Sequence, residues 1–254
     1  MLTGLDYVFI AAASVAAGLV NAVAGGGTLI TFPVLTAVGV PAVPANITNT
    51  VALCPGFFSA IVAQRRALDG QERRIWVAVP VSVVGAVLGG VLLLATDDET
   101  FRGIIPFLLL LAAALLAAQD HLRAWLIRWR GGHPHGHGSD MRMAVPLFLG
   151  AMYGGYFGAG FGVMMLAVFG LVLDDSLTRL NALKSLVALV VNLAAAIYFV
   201  FAGGVVWPVA GVMAVGALAG GAVGGRLVSR IRPETLRWVV VAIGTIAAII
   251  YFVK

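Results

Sequence analysis

Apolar residues fill ten stretches of this 254-residue chain, and short polar or glycine-rich segments separate them. A helix needs about 20 apolar residues to cross the hydrocarbon core of a bilayer, so several stretches are long enough to span alone. Two of them are too short, and each of these follows a cluster of glycines. The pattern predicts an all-α integral membrane protein with two broken helices. The stretches lie at about 5–24, 28–39, 48–63, 75–95, 104–119, 143–157, 163–173, 185–202, 206–225 and 238–253.

The two halves of the chain are copies of one unit. A shift of 135 positions brings Gly27 onto Gly162 and the motif Glu99–Arg102 onto Glu234–Arg237. A single ungapped offset along the whole chain indicates an internal duplication. The predicted parts are a first membrane repeat at 1–119, a linker rich in Arg, His and Gly at 120–141, and a second membrane repeat at 142–254.

The distribution of charge predicts opposite orientations for the two halves. Only 11% of the residues are charged, and four arginines crowd the loop at 64–74, whereas its counterpart around 200–209 has no charge. Arginine-rich loops stay in the cytoplasm. We therefore expect two inverted-topology repeats, each a glycine-broken re-entrant helical hairpin plus three transmembrane helices. The linker would be cytoplasmic and both termini periplasmic.

The linker contains all four histidines of the chain, three of them at the alternating positions 133, 135 and 137. Such a group can bind a metal, but it has no cysteine or carboxylate partner nearby. We interpret the segment as a linker and expect no metal site.

The glycine breaks are the candidate functional site. A broken helix exposes N–H groups and the positive end of its dipole, which favour an anion. Irregular backbone at membrane depth is tolerated only inside the protein or around a wet cavity, and paired breaks in inverted halves indicate a transporter's central site. The candidate substrate-binding residues are the glycines of the breaks and the polar residues near them: Asn21, Gly25, Gly26, Gly27, Thr28, Asn46, Asn49, Thr50, Tyr153, Tyr156, Gly160, Gly162, Asn181, Lys184 and Ser185.

Several of these residues have a purely structural alternative. Small residues let membrane helices approach closely, which is our interpretation of Gly85, Gly89, Gly220 and Gly224 and an alternative for the breaks. Asn46 and Asn181 are equally suited to bracing helices. Lys184 occupies the position of the second repeat that corresponds to Asn49 in the first repeat. We favour a cation that faces an anionic substrate over an anchor at the membrane surface.

The sequence offers no chemistry for an enzyme. No histidine falls inside an apolar stretch, and every acidic residue lies near a loop or the end of a stretch, so an intramembrane protease of the serine or His-Glu-x-x-His type is excluded. Asp174 and Asp175 are the only acidic residues near a break, which argues against proton coupling through a buried carboxylate. We expect no cofactor.

The segment "AGGGTLITFPVLTAVGVPAVPANITNT", with its degenerate copy half a chain later, resembles the TauE/SafE sulfite-exporter family. Gly25, Gly26, Gly27 and Pro33 match the first motif of that family, whereas the second half has Val168 at the position of Pro33. The resemblance implies a bacterial inner-membrane permease for sulfite, sulfoacetate or another organosulfonate. Its expected partners are a small anion and the lipid bilayer, without nucleic acid. The protein could also form a homodimer. The alternatives for its function are transport of a carboxylate or an inorganic anion, and a role as a non-transporting membrane assembly subunit.

Overall fold

The computed structural model describes residues 2–23, 26–130, 141–227 and 233–253. These residues form ten α-helices, together with two short 3-10 helices at Arg65–Leu68 and Met141–Met143. Each predicted apolar stretch is helical, so the all-α prediction is confirmed. The helices are α1 (Gly4–Val23), α2 (Thr28–Ala37), α3 (Ala42–Gln64), α4 (Glu72–Ala95), α5 (Asp98–Arg130), α6 (Ala144–Tyr156), α7 (Phe161–Val172), α8 (Leu177–Ala202), α9 (Trp207–Leu227) and α10 (Pro233–Val253).

Several helices have the length and composition of membrane spans. Within the described residues, α1, α4, α5, α8 and α10 each contain an apolar segment long enough to cross a bilayer. Helices α3 and α9 have 23 and 21 residues, which corresponds to more than 30 Å of helix at about 1.5 Å per residue. Helices α2, α6 and α7 have only 10, 13 and 12 residues, so none of them can span alone.

The order and the contacts of the helices follow the duplication. The shift of 135 positions converts the starts of α3, α4 and α5 into the starts of α8, α9 and α10. The contacts between helices correspond in the same way. Helix α1 packs on α9 as its duplicate α6 packs on α4, and α2 packs on α10 as its duplicate α7 packs on α5. Each half therefore folds in the same way and packs on the other half through equivalent surfaces.

Two pairs of corresponding helices run antiparallel. Ile47, near the start of α3, contacts Gly204 just after α8, and Gln64 at the end of α3 accepts a hydrogen bond from Asn181 near the start of α8. In the other pair, the rings of Phe107 and Phe252 lie 5.2 Å apart, which joins the first part of α5 to the end of α10. A helix and its duplicate thus point in opposite directions in both pairs.

Each glycine cluster separates two helices that double back on one another. Gly27, before α2, lies against Ala17 and Asn21 of α1. In the second half, Gly154 of α6 faces Phe161 at the start of α7. Both halves therefore begin with a helical hairpin broken at its glycines, as the sequence predicts.

The beginning of the segment that we predicted as a linker is helical. Helix α5 continues through residues 120–130, where the Asp120 carboxylate pairs with the Arg237 guanidinium of α10 and Leu126 packs on Gly170 of α7. His121 is exposed on this extension. The histidines at 133, 135 and 137 lie outside the described residues.

Glycines outside the breaks bring helices into close contact. A β-carbon on Gly85 would lie 2.8 Å from the Ala151 side chain, and one on Gly89 would overlap the Met152 carbonyl of α6. Gly220 lies in the same way against the backbone of Val15. The packing role predicted for these three glycines is confirmed, and the surroundings of Gly224 are outside the described part of the structure.

Candidate functional site

The two breaks lie at nearly the same depth in the helix bundle. A β-carbon on Gly160 would lie 3.1 Å from Ala112 of α5, and one on Gly26 would lie 3.1 Å from Leu116, one turn further along α5. Helix α2 also contacts the second break, because the rings of Phe32 in α2 and Phe157 in the second break pack edge to face at 5.4 Å. An aromatic contact thus joins the first hairpin to the second break.

In the first break, Asn21 satisfies an amide that the break exposes. The Gly27 N–H at the start of α2 donates to Asn21 Oδ1 at 2.8 Å. Gly26 adopts a φ of 92°, which a residue with a β-carbon rarely adopts. Gly25 lies outside the described residues. The candidates Asn21, Gly26 and Gly27 therefore form the turn itself.

The polar side chains beyond this turn are bonded to one another. The Thr31 hydroxyl is 3.2 Å from the Gly27 carbonyl and also reaches Asn49 Oδ1, and Asn49 Nδ2 donates to Thr28 Oγ1 at 3.3 Å. Thr31 was not among the predicted site residues, although its position three residues after Thr28 places both on one face of α2. The first half-site is a closed hydrogen-bond network.

The second break is held by Tyr153 of α6. Its carbonyl accepts hydrogen bonds from the amides of Phe157 and Gly158, and its hydroxyl donates to the Ala159 carbonyl at 2.5 Å. Gly158 and Gly160 have φ values of 77° and 75°. A left-handed glycine directly after a helix is a common way to satisfy its last carbonyls. Tyr153 thus braces the turn from within.

Lys184 lies beside the start of α7 and has no partner among the described residues. A β-carbon on Gly162 would lie 3.7 Å from Lys184 Cδ, so the lysine stem runs along this glycine. Lys184 is half-buried, and within the described part of the chain neither its ammonium group nor the Gly162 N–H has a hydrogen-bond or ion-pair partner. Its duplicate Asn49 bonds to Thr28 and Thr31, but the corresponding residues of α7 are Val163 and Leu166, which cannot accept a hydrogen bond.

Asn46 connects the first half to the second break. Its Nδ2 donates to the carbonyl of Tyr156, the last residue of α6, at 2.8 Å. The hydroxyl of Tyr156 is 3.5 Å from Thr96, and the Thr50 hydroxyl donates to the Asn46 carbonyl at 3.0 Å. Asn46 therefore braces two halves, as one of the alternatives for it stated, and it also lies directly at a break.

Asn181 and Ser185 bond to a residue that the sequence did not point to. Asn181 Nδ2 donates to Gln64 Oε1 at 2.7 Å, and Gln64 Nε2 donates to Ser185 Oγ at 3.3 Å. Gln64 is the last residue of α3, so both candidates brace α8 against that helix end. The structure places this cluster on the side of α8 that faces α3.

Of the two acidic residues near the second break, Asp175 pairs with arginines. Asp175 Oδ2 pairs with the guanidinium groups of Arg74 and Arg179, the latter at 2.9 Å, and its side chain is 15% exposed. Burial alone would raise the pKa of Asp175, but hydrogen bonds from Arg179, Arg74 and the Ser176 amide hold the pKa below its usual range. Asp175 therefore connects α4 to the loop before α8 as a carboxylate.

An apolar groove of about 530 Å³ runs between α3 and α8. No predicted site residue lines it. Its lining residues are Val51, Cys54, Pro55, Phe58, Leu193, Ala196, Ile197, Val200 and Phe201.

The broken hairpins and the long apolar helices of the described residues define a multi-pass helical membrane protein. A comparison with protein families narrows this class to one family. The model of the sulfite exporter TauE/SafE family matches residues 10–251 of the chain. The chain belongs to the TauE/SafE family, a family of membrane transporters.

Several curated proteins that are similar to this chain are named probable membrane transporters. A probable membrane transporter protein of Haemophilus influenzae is 29% identical over 218 residues, which cover 84% of this chain and 81% of that protein. The probable membrane transporter protein YfcA of Escherichia coli K12 is 25% identical, over 91% of this chain and 83% of its own length. The probable membrane transporter protein ORF9 of a Sinorhizobium species is 27% identical, over 87% and 82%. No solved structure matches the chain.

Proposed function

We propose that this protein is a secondary transporter that moves a small sulfur-containing anion, such as sulfite, sulfoacetate or another organosulfonate, across the bacterial inner membrane by alternating access. The description of the family as a sulfite exporter supports sulfite as the first substrate to test. A small anion and the lipid bilayer are its partners in this proposal, and nucleic acid is not.

The observation that carries the proposal is the cation at the second break, which is unpaired among the described residues. The Lys184 ammonium and the free Gly162 N–H lie beside the start of α7, where the helix dipole is positive. An anion at this point would interact with a full positive charge and with backbone donors together. Such a charge within a membrane span indicates function, because an unpaired ammonium group in a bilayer is costly.

The geometry of the halves supports alternating access. Corresponding helices run antiparallel, α2 of the first hairpin contacts the second break, and both hairpins double back at equivalent positions. We infer from this that the halves are inverted repeats, with the arginine-rich loop at 65–74 in the cytoplasm and both termini in the periplasm. A substrate between the breaks would then be exposed alternately to each side as one half rocks against the other.

The proposal includes no enzymatic activity and no cofactor. The histidines of the chain lie between positions 121 and 137, away from both breaks in the sequence. No group of three metal-ligating side chains occurs among the residues that the structure describes. The chemistry at the breaks is that of binding an anion.

Transport by purified protein in proteoliposomes tests the proposal. We expect radiolabelled sulfite or sulfoacetate to move faster with the wild-type protein than in empty vesicles. Lys184→Met, which keeps the stem but removes the charge, should weaken transport about 10- to 100-fold, because a hydrogen bond to a charged group contributes about 1.5–3 kcal/mol. Lys184→Arg should retain part of the activity. Arg142→Ala, which removes an exposed cation elsewhere, is the control and should behave like the wild type.

Two results would contradict this assignment. Equal transport by Lys184→Met and the wild type would show that Lys184 does not bind the substrate. If the protein transported carboxylates but no sulfur-containing anion, it would still be a transporter, but the proposed substrate class would be wrong.

A further inference from the structure

One oxygen atom at the second break has no partner among the described residues. Asn46 is 1% exposed, and its Nδ2 donates to the Tyr156 carbonyl at 2.8 Å. Its Oδ1 is buried and accepts no hydrogen bond from the described part of the chain. The orientation of this amide is fixed by chemistry, because the Tyr156 carbonyl can only accept a hydrogen bond and must face the NH₂ group. Oδ1 is therefore a buried acceptor, and such groups nearly always have an electropositive neighbour.

The surroundings of Asn46 Oδ1 are rich in neutral oxygen atoms. Tyr156 is the last residue of α6, so its carbonyl belongs to the negative end of a helix dipole, and the bond from Asn46 leaves it a second lone pair. Thr50 lies one turn after Asn46 and is also buried, and its hydroxyl oxygen keeps acceptor capacity while it donates to the Asn46 carbonyl. These groups share one corner of the second break.

The charges of this corner favour a monovalent cation. Neither α3 nor α6 contains an aspartate or glutamate, and the Asp98 carboxylate near the start of α3 is bonded to the Val43 amide and the Arg102 guanidinium. Ca²⁺ and Mg²⁺ sites use carboxylates, whereas amide, carbonyl and hydroxyl oxygens alone suit a singly charged hard ion. The end of a broken helix with its unwound carbonyls is the place where membrane transporters coordinate Na⁺.

We propose that Asn46 Oδ1 and the carbonyl groups at the end of α6 bind a Na⁺ ion. The Na⁺ site is at the end of α6, where the dipole is negative, and the anion site of Lys184 is at the start of α7, where the dipole is positive. One break would thus hold two ions of opposite charge, and each would reduce the electrostatic cost of the other. The use of Na⁺ as the coupling ion rests on the proposed function, whereas the binding of Na⁺ does not.

Thermal unfolding of the purified detergent-solubilised protein, without any transported anion, tests the site. We expect the Tm to rise with NaCl concentration to saturation, and not to rise with KCl or choline chloride at equal ionic strength, because binding to the folded state alone stabilises it. Asn46→Leu should lose this response. Asn192→Leu is the matched control, since Asn192 Nδ2 donates to a carbonyl of its own helix at 2.8 Å, and it should keep the response.

A second variant keeps the test decisive where Asn46→Leu does not fold. Asn46→Asp retains an oxygen, adds a negative charge and loses the N–H that donates to the Tyr156 carbonyl. A Na⁺ ion would offset both the added charge and the repulsion between the two oxygens, so the Na⁺ response should reach half its maximum at a concentration at least about tenfold lower. A wild-type Tm that is equal in NaCl, KCl and choline chloride would overturn the proposal, as would an unchanged midpoint in Asn46→Asp. Anion transport without a Na⁺ response would refute only the Na⁺ site, and a Na⁺ response without anion transport would refute only the proposed function.

Discussion

The second break contains two glycines for which the structure predicts opposite effects of the same substitution. Gly160 has a φ of 75°, and a β-carbon there would lie 3.1 Å from the Ala112 Cα, which belongs to the backbone of α5 and cannot easily move. Gly162, two residues later, has no positive φ, and the nearest atom to its β-carbon would be Lys184 Cδ at 3.7 Å, an ordinary contact. Gly160→Ala should therefore destabilise the protein, and Gly162→Ala should not.

The magnitudes follow from backbone strain. A residue with a β-carbon in the left-handed region costs about 1–2 kcal/mol, and the close contact with Ala112 adds to this. At Gly162, in the first turn of α7, alanine fits the backbone and reduces the entropy of the unfolded chain, which stabilises by about 0.4–1 kcal/mol. We expect the two variants to differ by about 2–3 kcal/mol in the free energy of unfolding.

The measurement is denaturant-induced unfolding in detergent micelles, followed by circular dichroism. Gly103→Ala is the control, because its β-carbon would meet nothing within 4 Å. Gly162→Ala and the control should be at least as stable as the wild type. Equal stabilities of Gly160→Ala and Gly162→Ala would refute the strained turn that we assign to the second break.

Two further predictions concern the ion pairs of Asp175 and the topology. Because its arginine partners hold the pKa of Asp175 below the ordinary 3.8, its contribution to stability is complete above that value and is lost as the pH falls through the folded pKa. Below about pH 4, wild-type stability should fall more steeply than that of Asp175→Asn in acid titrations of unfolding, and parallel curves would contradict the pairing. Cysteines introduced at Thr3 and Phe252, with the buried Cys54 replaced, should both react with a membrane-impermeant maleimide from the periplasm. Labelling of only one of them would contradict the inverted repeats.

The positions of the helices follow from the sequence because membrane spans are long and uniform. The breaks were also predictable, since a glycine cluster before an apolar segment that is too short to span indicates an interrupted membrane helix. The extension of α5 was not. Its sequence after residue 120 mixes arginines with apolar residues, and among the described side chains of this extension only Leu126 is buried, 1% exposed against Gly170 of α7. A single buried position gives too little periodicity to distinguish a helix from a linker.

The partners within the candidate site were beyond the sequence for a different reason. Asn181 and Gln64 are 117 positions apart, and Asn46 and Tyr156 are 110 apart. Such pairs depend on how α3 packs against α8 and meets the end of α6, and no local pattern encodes this. The residues that form the breaks can therefore be predicted from the sequence. Whether an asparagine braces two helices or binds a ligand can be decided only from its contacts in the structure.

The two half-sites have diverged in a way that assigns them different tasks. In the first, Asn49 bonds to both Thr28 and Thr31, so the polar groups of the break are paired with one another. In the second, Lys184 takes the place of Asn49 while the threonine positions have become apolar, which leaves the cation without a partner in the described part of the chain. Had both halves kept the same residues, the site would be symmetric and would bind two equal ligands or none. Because the free charge of the described breaks is at the second one, the proposed transport function predicts that a single anion binds there.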